Sequence, residues 1–166
     1  MQGSRFYQGA FRRMEREIRP RLQHLTRGQL LLLIEGTSEE RAAMAWLAMI
    51  KHAALVSEFA VDLLRGKLAA YDYVLRPSDY SHFIAARISA HSELAKLTES
   101  SRRKIRRVLL LMLTEAGMIQ QENGERRITR PVQTQRVIDN IESDNAQLLA
   151  GFLWTDEEIA AIRKRP

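Results

Sequence analysis

The chain has 166 residues, of which 45% are hydrophobic and 28% are charged, and it contains no cysteine. This composition predicts one globular domain, or two small ones that share a core, and it excludes disulfides, thiol chemistry and cysteine-based metal sites. The longest apolar runs, Leu30–Ile34 and Val108–Leu113, are far shorter than the roughly 20 residues that a membrane-spanning helix needs. The polar N-terminus does not resemble a signal peptide, so we expect a soluble, cytoplasmic protein with no membrane association.

The net charge of +6 is unevenly spread along the chain. Lys and Arg outnumber Asp and Glu by 7 to 2 in Met1–Arg27 and by 8 to 4 in Thr98–Arg130. Such basic clusters are typical of proteins that bind phosphate groups, and they fit DNA, RNA or an acidic protein equally well.

The segment Arg5–Leu25 has apolar residues at helical spacing and predicts a first helix. Pro20 must kink or divide this helix, because proline has no backbone amide hydrogen to donate. Most of its arginines lie off the apolar stripe and form either a solubilising face or an auxiliary arm that contacts phosphates. The candidate contacts in this arm are Arg12, Arg13 and Arg16.

The centre of the chain predicts closely spaced core helices. They are Arg27–Glu35, which Gly36 ends, then Ser38 to about His52, which begins with a capping box of Thr37 and Glu40, and then Ala54–Arg65, which Gly66 ends. Tyr71–Leu75 is either a short strand or an extended connector. A helix that opens at Arg76-Pro77 and a short helix over His91–Leu97 follow it.

The stretch Thr98–Arg130 predicts a helix followed by a β-hairpin. Thr98 caps the helix Ser100–Ala116, and Gly117 ends it because a residue without Cβ can adopt the left-handed conformation. The hairpin consists of Met118–Gln120, a two-residue turn at Asn123-Gly124, and Arg127–Thr129. Together with the preceding short helix, this order predicts a winged helix-turn-helix.

The long helix is basic in its first half, and its second half, Val108–Leu113, is expected to be buried. Cations in the first turns oppose the helix dipole at a cost of roughly 0.3–1 kcal/mol each, which a bound polyanion would offset. The alternative is a solvated basic face on a core helix. The candidate nucleic-acid contacts are Arg102, Arg103, Lys104, Arg106 and Arg107 of the helix, with Arg126, Arg127 and Arg130 of the wing.

The C-terminal part predicts helices over Pro131–Ile141 and Asp144–Trp154, and a last helix that Thr155 begins and that runs through Arg163. The predicted fold is mainly α: a compact helical bundle with a C-terminal winged helix-turn-helix-like unit and one small β-hairpin. The bundle is expected over residues 1–97 and the winged-helix-like part with its return helices over residues 98–166, around one shared core.

The sequence shows no pattern typical of catalysis or metal binding. His24, His52, His82 and His91 each lack a partner at metal-ligand spacing. The chain also has no glycine-rich phosphate loop and no serine-hydrolase or zinc-protease motif. We therefore expect a protein that is not an enzyme and that binds no metal and no cofactor.

Two stretches of the long helix and its end, Ser101–Arg106 and Met112–Ile119, resemble the BrxA family of BREX phage-defence systems. In that family a similar basic helix ends in the pattern M-L-x-E-A-G. The resemblance extends upstream through Leu75–Phe83 to Arg12-Arg13 and covers most of the chain, from about Ala10 to Gly151.

The resemblance implies a small, all-helical, non-catalytic component of a multi-protein defence island that binds nucleic acid and has other BREX subunits as partners. It also implies a fold like that of the antitermination protein NusB, which residues 1–97 would provide. Family members carry an additional segment before the arginine-rich helix. This chain is therefore expected to be either a short relative or truncated at its start.

The leading hypothesis is an accessory protein that binds duplex DNA through the basic helix and the wing. A second hypothesis is a scaffold that docks another defence subunit on an apolar surface of the C-terminal helices, made of Val132, Val137, Ile138, Leu148, Leu149 and Trp154. A third is RNA binding in the NusB manner through the arginines of Met1–Arg27. Salt dependence separates the first two, because phosphate binding weakens as salt rises.

Overall fold

The structure is a computed structural model, and it describes residues 15–90 and 92–164. Residues 15–22 form a helix, α1. The helices that follow are α2 (Arg27–Glu35), α3 (Ser38–His52), α4 (Ala54–Glu58), a π-helical segment (Phe59–Leu64), α5 (Arg65–Ala69), α6 (Pro77–Arg87), α7 (Ser92–Ala95) and α8 (Glu99–Glu115). Next come the strands β1 (Ile119–Glu122) and β2 (Glu125–Ile128), then α9 (Gln135–Asn145), a 3-10 segment (Ala146–Phe152) and α10 (Asp156–Ile162). The predicted class, mainly α with one small hairpin, is confirmed; its description as winged-helix and NusB-like stays a prediction.

Threonine caps begin five of the helices. The side chains of Thr26, Thr37, Thr98, Thr134 and Thr155 each accept a hydrogen bond from the backbone amide three residues further on. An N-terminal amide of a helix has no partner within the helix, so each of these hydroxyls satisfies a group that would otherwise need water. The caps predicted at Thr37 and Thr98 are confirmed, and the last helix begins at the predicted place, where Thr155 also acts as its cap.

One contiguous cluster of buried apolar side chains connects the elements from Leu25 to Ile162. Trp46 of α3 spans it, and its indole nitrogen Nε1 donates to the carbonyl of Gly151 over 2.9 Å. Phe59 packs edge-on against Phe83 of α6, with ring centroids 5.0 Å apart. The division of the chain at residue 97 stays a prediction, and buried residues on both sides of it belong to this cluster.

The predicted helix end at Gly66 is wrong. The helix that starts at Ala54 continues through the π-helical segment and across Gly66 to Ala69. Gly66 does not adopt the left-handed conformation that a glycine often has at the end of a helix; among the described glycines only Gly117 and Gly124 have a positive φ. Phe59, Ala60 and Leu64 are buried in the segment before Gly66, so core packing carries the helix past it.

Two further helix predictions needed correction, and one of two alternatives is excluded at Pro20. Residues 15–22 are helical throughout, so no second segment starts at Pro20, while a kink there stays a prediction. The helix predicted from Pro131 begins only at Gln135, because Thr134 provides the cap. The helix predicted over Asp144–Trp154 is instead the end of α9 followed by a 3-10 segment, after which Leu153 is left-handed with φ 66°.

Gly66→Ala should raise the free energy of unfolding by about 0.5–1 kcal/mol, because alanine loses less backbone entropy in a helix than glycine. Nothing lies within 4 Å of a Cβ built on Gly66, and its φ is not positive. Chemical denaturation measures the effect.

The matched control is Gly36→Ala, whose Cβ would lie 2.4 Å from the carbonyl oxygen of Leu32 and should therefore destabilise the protein. A Gly66→Ala variant that is less stable than the parent chain would contradict the continuous helix across this position.

Candidate nucleic-acid interface

The rotation of α8 about its own axis decides which of its side chains can form a site. Of this helix, all of which the structure describes, only Leu109 and Leu113 are buried. Val108 and Leu111 remain 37% and 57% exposed, so the expectation that the apolar second half is buried on all sides is wrong. Because α-helical residues repeat every 3.6 positions, burial of one narrow stripe leaves two long flanks of α8 open to solvent.

The predicted hairpin after α8 is confirmed. Gly117 has φ 71° and releases the chain from the helix, while the amide of Met118 donates to the carbonyl of Leu113 over 2.8 Å. Asn123 and Gly124 have φ 50° and 82°, as a two-residue primed turn requires. This turn sets the register, in which Gln121 pairs with Arg126.

A groove of about 420 Å³ lies between α8 and the hairpin. We call it the arginine groove. It is lined by Arg103, Arg106, Arg107, Leu110, Leu111 and Thr114 of α8, Gln121 of β1 and Arg126 of β2. Four of the predicted contact residues are thus brought together from two elements. Four guanidinium groups around one depression favour an anion there, and phosphate accepts two parallel hydrogen bonds from each such group.

The cations of the arginine groove are held loosely. Arg103 pairs with Glu99 over 2.9 Å, but both side chains are more than two thirds exposed, so this pair contributes little to stability. Arg107 has no ion-pair partner among the described residues. Arg106 is better fixed, because its guanidinium lies over the ring of Tyr80 in α6, 5.5 Å from the ring centroid. Arg103 and Arg107 are therefore free to reorient onto a ligand.

The other predicted contacts of α8 point elsewhere. Arg102 is half-buried, and its Nη2 donates to the carbonyl of Leu94 in α7 over 3.2 Å, so it ties α8 to the preceding helix. Lys104 lies on the opposite flank of α8, beside Ile105 and Val108. Neither residue lines the arginine groove, and whether either contacts nucleic acid stays a prediction.

Two wing arginines are engaged within the protein. Arg127 alternates with Arg126 along β2 and pairs with Glu122 over 2.9 Å. Arg130 pairs with Glu158 of α10 over 2.8 Å and lies over the ring of Trp154, 4.9 Å from its centroid. A phosphate would have to compete with these partners, so we rank both residues below Arg126 as contacts.

Of the three contacts predicted in the N-terminal arm, the structure describes only Arg16. Arg16 is an exposed residue of α1. Arg12 and Arg13 lie outside the described residues, so the arm stays a prediction.

Sequence reasoning did not identify Gln121, which lines the arginine groove, or Tyr80, which holds Arg106. Gln121 was within reach of it, since a two-residue turn at Asn123-Gly124 pairs position 121 with 126 and places both side chains on one face. For Tyr80 no signal was available, because its position beside Arg106 depends on how α6 packs against α8.

The connector before α6 holds the hairpin in place from its other edge. The amide of Leu75 donates to the carbonyl of Arg126 over 2.8 Å, and the amide of Ile128 donates to the carbonyl of Tyr73 over 2.7 Å. Tyr71 is a left-handed turn residue with φ 58°, and Tyr73–Leu75 is an extended connector in which Val74 alone forms a bridge, to Arg127. Among the described residues it is the only segment outside the hairpin that pairs with β2.

A cluster of charges fixes this connector. Lys67 contacts Asp72 over 2.6 Å and Asp79 over 2.9 Å, and Arg76 contacts Asp72 over 2.8 Å. Hydrogen bonds from Lys67 and Arg76 lower the pKa of Asp72 from 3.8 to about 2. One ionised carboxylate, that of Asp72, therefore helps to hold the connector and the edge of β2 with which the connector pairs.

His24 and His52 are close in space, although they are far apart in sequence. Their Nε2 and Nδ1 atoms are 3.2 Å apart. Within residues 15–90 and 92–164 there is no group of three or more His, Asp or Glu that could hold a metal ion. In the same part of the chain, no helix combines the length and the hydropathy that a membrane crossing requires.

The apolar docking surface predicted on the C-terminal helices does not form as predicted, because three of its six residues are buried, and Leu148 and Trp154 are partly buried against the core. Val137, Ile138 and Leu149 are buried in the core and cannot contact a partner. Val132 is almost fully exposed, but it stands apart from them on the extended segment before α9. The alternation of apolar residues in α9 therefore reflected core packing.

The charge of Asp72 should make stability depend on pH. Its folded pKa of about 2 lies below its ordinary value of 3.8, so the unfolded chain binds the extra proton between these values. This contribution is complete above pH 4 and is lost as the pH falls toward 2. Asp72→Asn should lower the free energy of unfolding at pH 7 and reduce its change between pH 5 and pH 3, which urea unfolding at each pH measures.

Asp139→Asn is the matched control, because that carboxylate accepts its side-chain hydrogen bond from the neutral Gln135. If Asp72→Asn kept the pH dependence of the parent chain, the connector would not depend on this carboxylate.

Comparison with known proteins gives a matching family model, a curated relative and structures of similar fold. The sequence model of the BrxA family matches residues 8–145. The BREX protein BrxA of Escherichia coli O9:H4 (strain HS) is 26% identical over 139 residues, which are 81% of this chain and 64% of that protein. The chain thus spans less than two thirds of the length of this curated relative.

A crystal structure of an uncharacterized protein from Magnetospirillum magneticum is similar in fold, with a TM-score of 0.73 and 16% identity. The likeness covers 81% of this chain and 70% of that one. At this level of identity it concerns the fold alone.

Proposed function

The chain belongs to the BrxA family, and we propose that it is a non-catalytic component of a BREX phage-defence system that binds duplex DNA through the arginine groove. The observation that carries the proposal is the convergence of four arginines from α8 and β2 on one groove. Family membership supports the defence context, and the groove supports the nucleic-acid ligand.

The position of these arginines on α8 favours a polyanionic ligand. Arg103, Arg106 and Arg107 lie within two turns of one another in the first half of the helix, so their like charges repel. Glu99 offsets this repulsion only for Arg103. A row of phosphates would compensate it for all three, whereas a single small anion could reach only part of the groove.

The two elements would divide the contacts between them. Arg103 and Arg107 lie one turn apart on the same exposed flank of α8 and would bind neighbouring phosphates. Arg126 and Gln121 would contact the same backbone from the hairpin, as a wing does beside a recognition helix. Arg106, which Tyr80 holds in place, would provide a fixed contact at the base of the groove. Contacts of this kind position DNA and read no bases.

The proposal is tested by anisotropy titration of a labelled duplex at two salt concentrations. Arg103→Glu/Arg107→Glu should weaken binding by at least about tenfold, because two phosphate contacts become repulsive. The slope of log affinity against log salt should fall by about 2, since each lost contact releases about one counterion fewer.

The matched control is Arg41→Glu/Lys164→Glu, which changes the net charge equally at two exposed cations that do not line the groove. Equal losses in the two variants would reduce the interaction to net charge and contradict a defined site. Competition with a hairpin RNA of equal length tests the alternative ligand, and tighter binding of RNA would replace duplex DNA in the proposal.

A further inference from the structure

A second groove runs along the flank of α8 that faces away from the arginine groove. It consists of two adjoining cavities of about 470 and 490 Å³. Both are lined by Arg21 of α1, Met49 of α3 and Met112 of α8, so they form one continuous depression. We call it the apolar groove.

The floor of the apolar groove is hydrophobic along its whole length. Ile105, Val108 and Met112 contribute it from α8, and Leu22 and Met49 contribute it from the facing helices. Ile105 and Val108 are more than a third exposed, at positions where an exposed helix flank usually carries polar residues. A contiguous apolar depression of this kind is typical of an interaction site.

The charged residues at its rim are arranged unequally. Arg21 and Lys104 border the groove, and Glu115 lies at its far end. None of the three has an ion-pair partner within the described part of the chain. Lys104 and Glu115 are 11 positions apart on α8, which corresponds to about 17 Å at 1.5 Å per residue. The groove is therefore about three helical turns long and mostly cationic at its rim.

We propose that the apolar groove docks an amphipathic α-helix of a protein partner, with acidic residues beside its apolar stripe. The walls of the groove are helices, which offer no unpaired backbone to an added strand, so the helix-in-groove mode fits and strand addition does not. Methionine at two positions of the lining suits such a groove, because its unbranched side chain adapts to the partner. Charge complementarity with Arg21 and Lys104 selects an acidic helix.

This inference goes beyond DNA binding and does not rest on it. The arginine groove and the apolar groove lie on opposite flanks of α8, and no residue lines both. A helical partner and a duplex can therefore be bound at the same time. The proposed protein-docking surface lies on α1, α3 and α8, and not on the C-terminal helices, where the sequence analysis predicted one.

The test uses a fluorescent synthetic peptide of about four helical turns, with leucine at every third or fourth position and glutamate beside them. A second peptide has lysine in place of each glutamate. The full chain should bind the acidic peptide at micromolar concentration and the basic one at least about tenfold more weakly. Val108→Asp should abolish binding of the acidic peptide, and Arg21→Glu should reduce it by about tenfold.

Arg103→Glu is the matched control, because it changes the same charge on the opposite flank and should leave peptide binding unchanged. Circular dichroism of each variant confirms that it is folded, and the duplex titration of Val108→Asp should match that of the parent chain. The proposal is overturned if neither peptide binds, or if both bind equally. It is also overturned if sedimentation shows a dimer that Val108→Asp dissociates, because a second copy of the chain would then occupy the groove.

Discussion

The packing of Leu109 and Leu113 into the core is the constraint on which the rest of the site depends. These two side chains fix the rotation of α8 about its axis. The helix period then determines on which flank each of the remaining residues of α8 lies. Arg103 and Arg107 fall on one flank and Ile105 and Val108 on the other. A run of residues that looks like a single basic and apolar block in the sequence becomes two surfaces of different chemistry.

The arginine groove also needs the hairpin at a defined angle to α8. Gly117 forms the bend between α8 and the hairpin. The hydroxyl of Thr129 stabilises this bend by donating to the carbonyl of Gly117 over 2.7 Å. On the outer edge, the connector Tyr73–Leu75 pairs with β2 and is itself anchored by Asp72. The two-stranded hairpin is thus held by contacts at both ends of this arrangement, with α8 and with the connector. These contacts keep Arg126 at the groove although the hairpin itself is small.

Much of the fold was readable because it is determined locally. A threonine cap satisfies amides within one turn, and Asn123-Gly124 sets a hairpin register over a few residues, so both were predicted correctly. The helix end predicted at Gly66 was wrong because the conformation there depends on the buried residues of the preceding π-helical segment. The site divides in the same way: the arginines of α8 were identified from the sequence, but their separation into groove and non-groove residues depends on tertiary packing, such as that of Arg102 against α7.

The claim that α8 presents two independent flanks is tested most directly by methyl-resolved NMR of the full chain titrated with duplex DNA. Leu110 and Leu111 line the arginine groove, whereas Ile105 and Val108 line the apolar groove. The account predicts shifts of the Leu110 and Leu111 methyl signals and unchanged signals for Ile105 and Val108. Shifts confined to Ile105 and Val108, or equal shifts on both flanks, would contradict it.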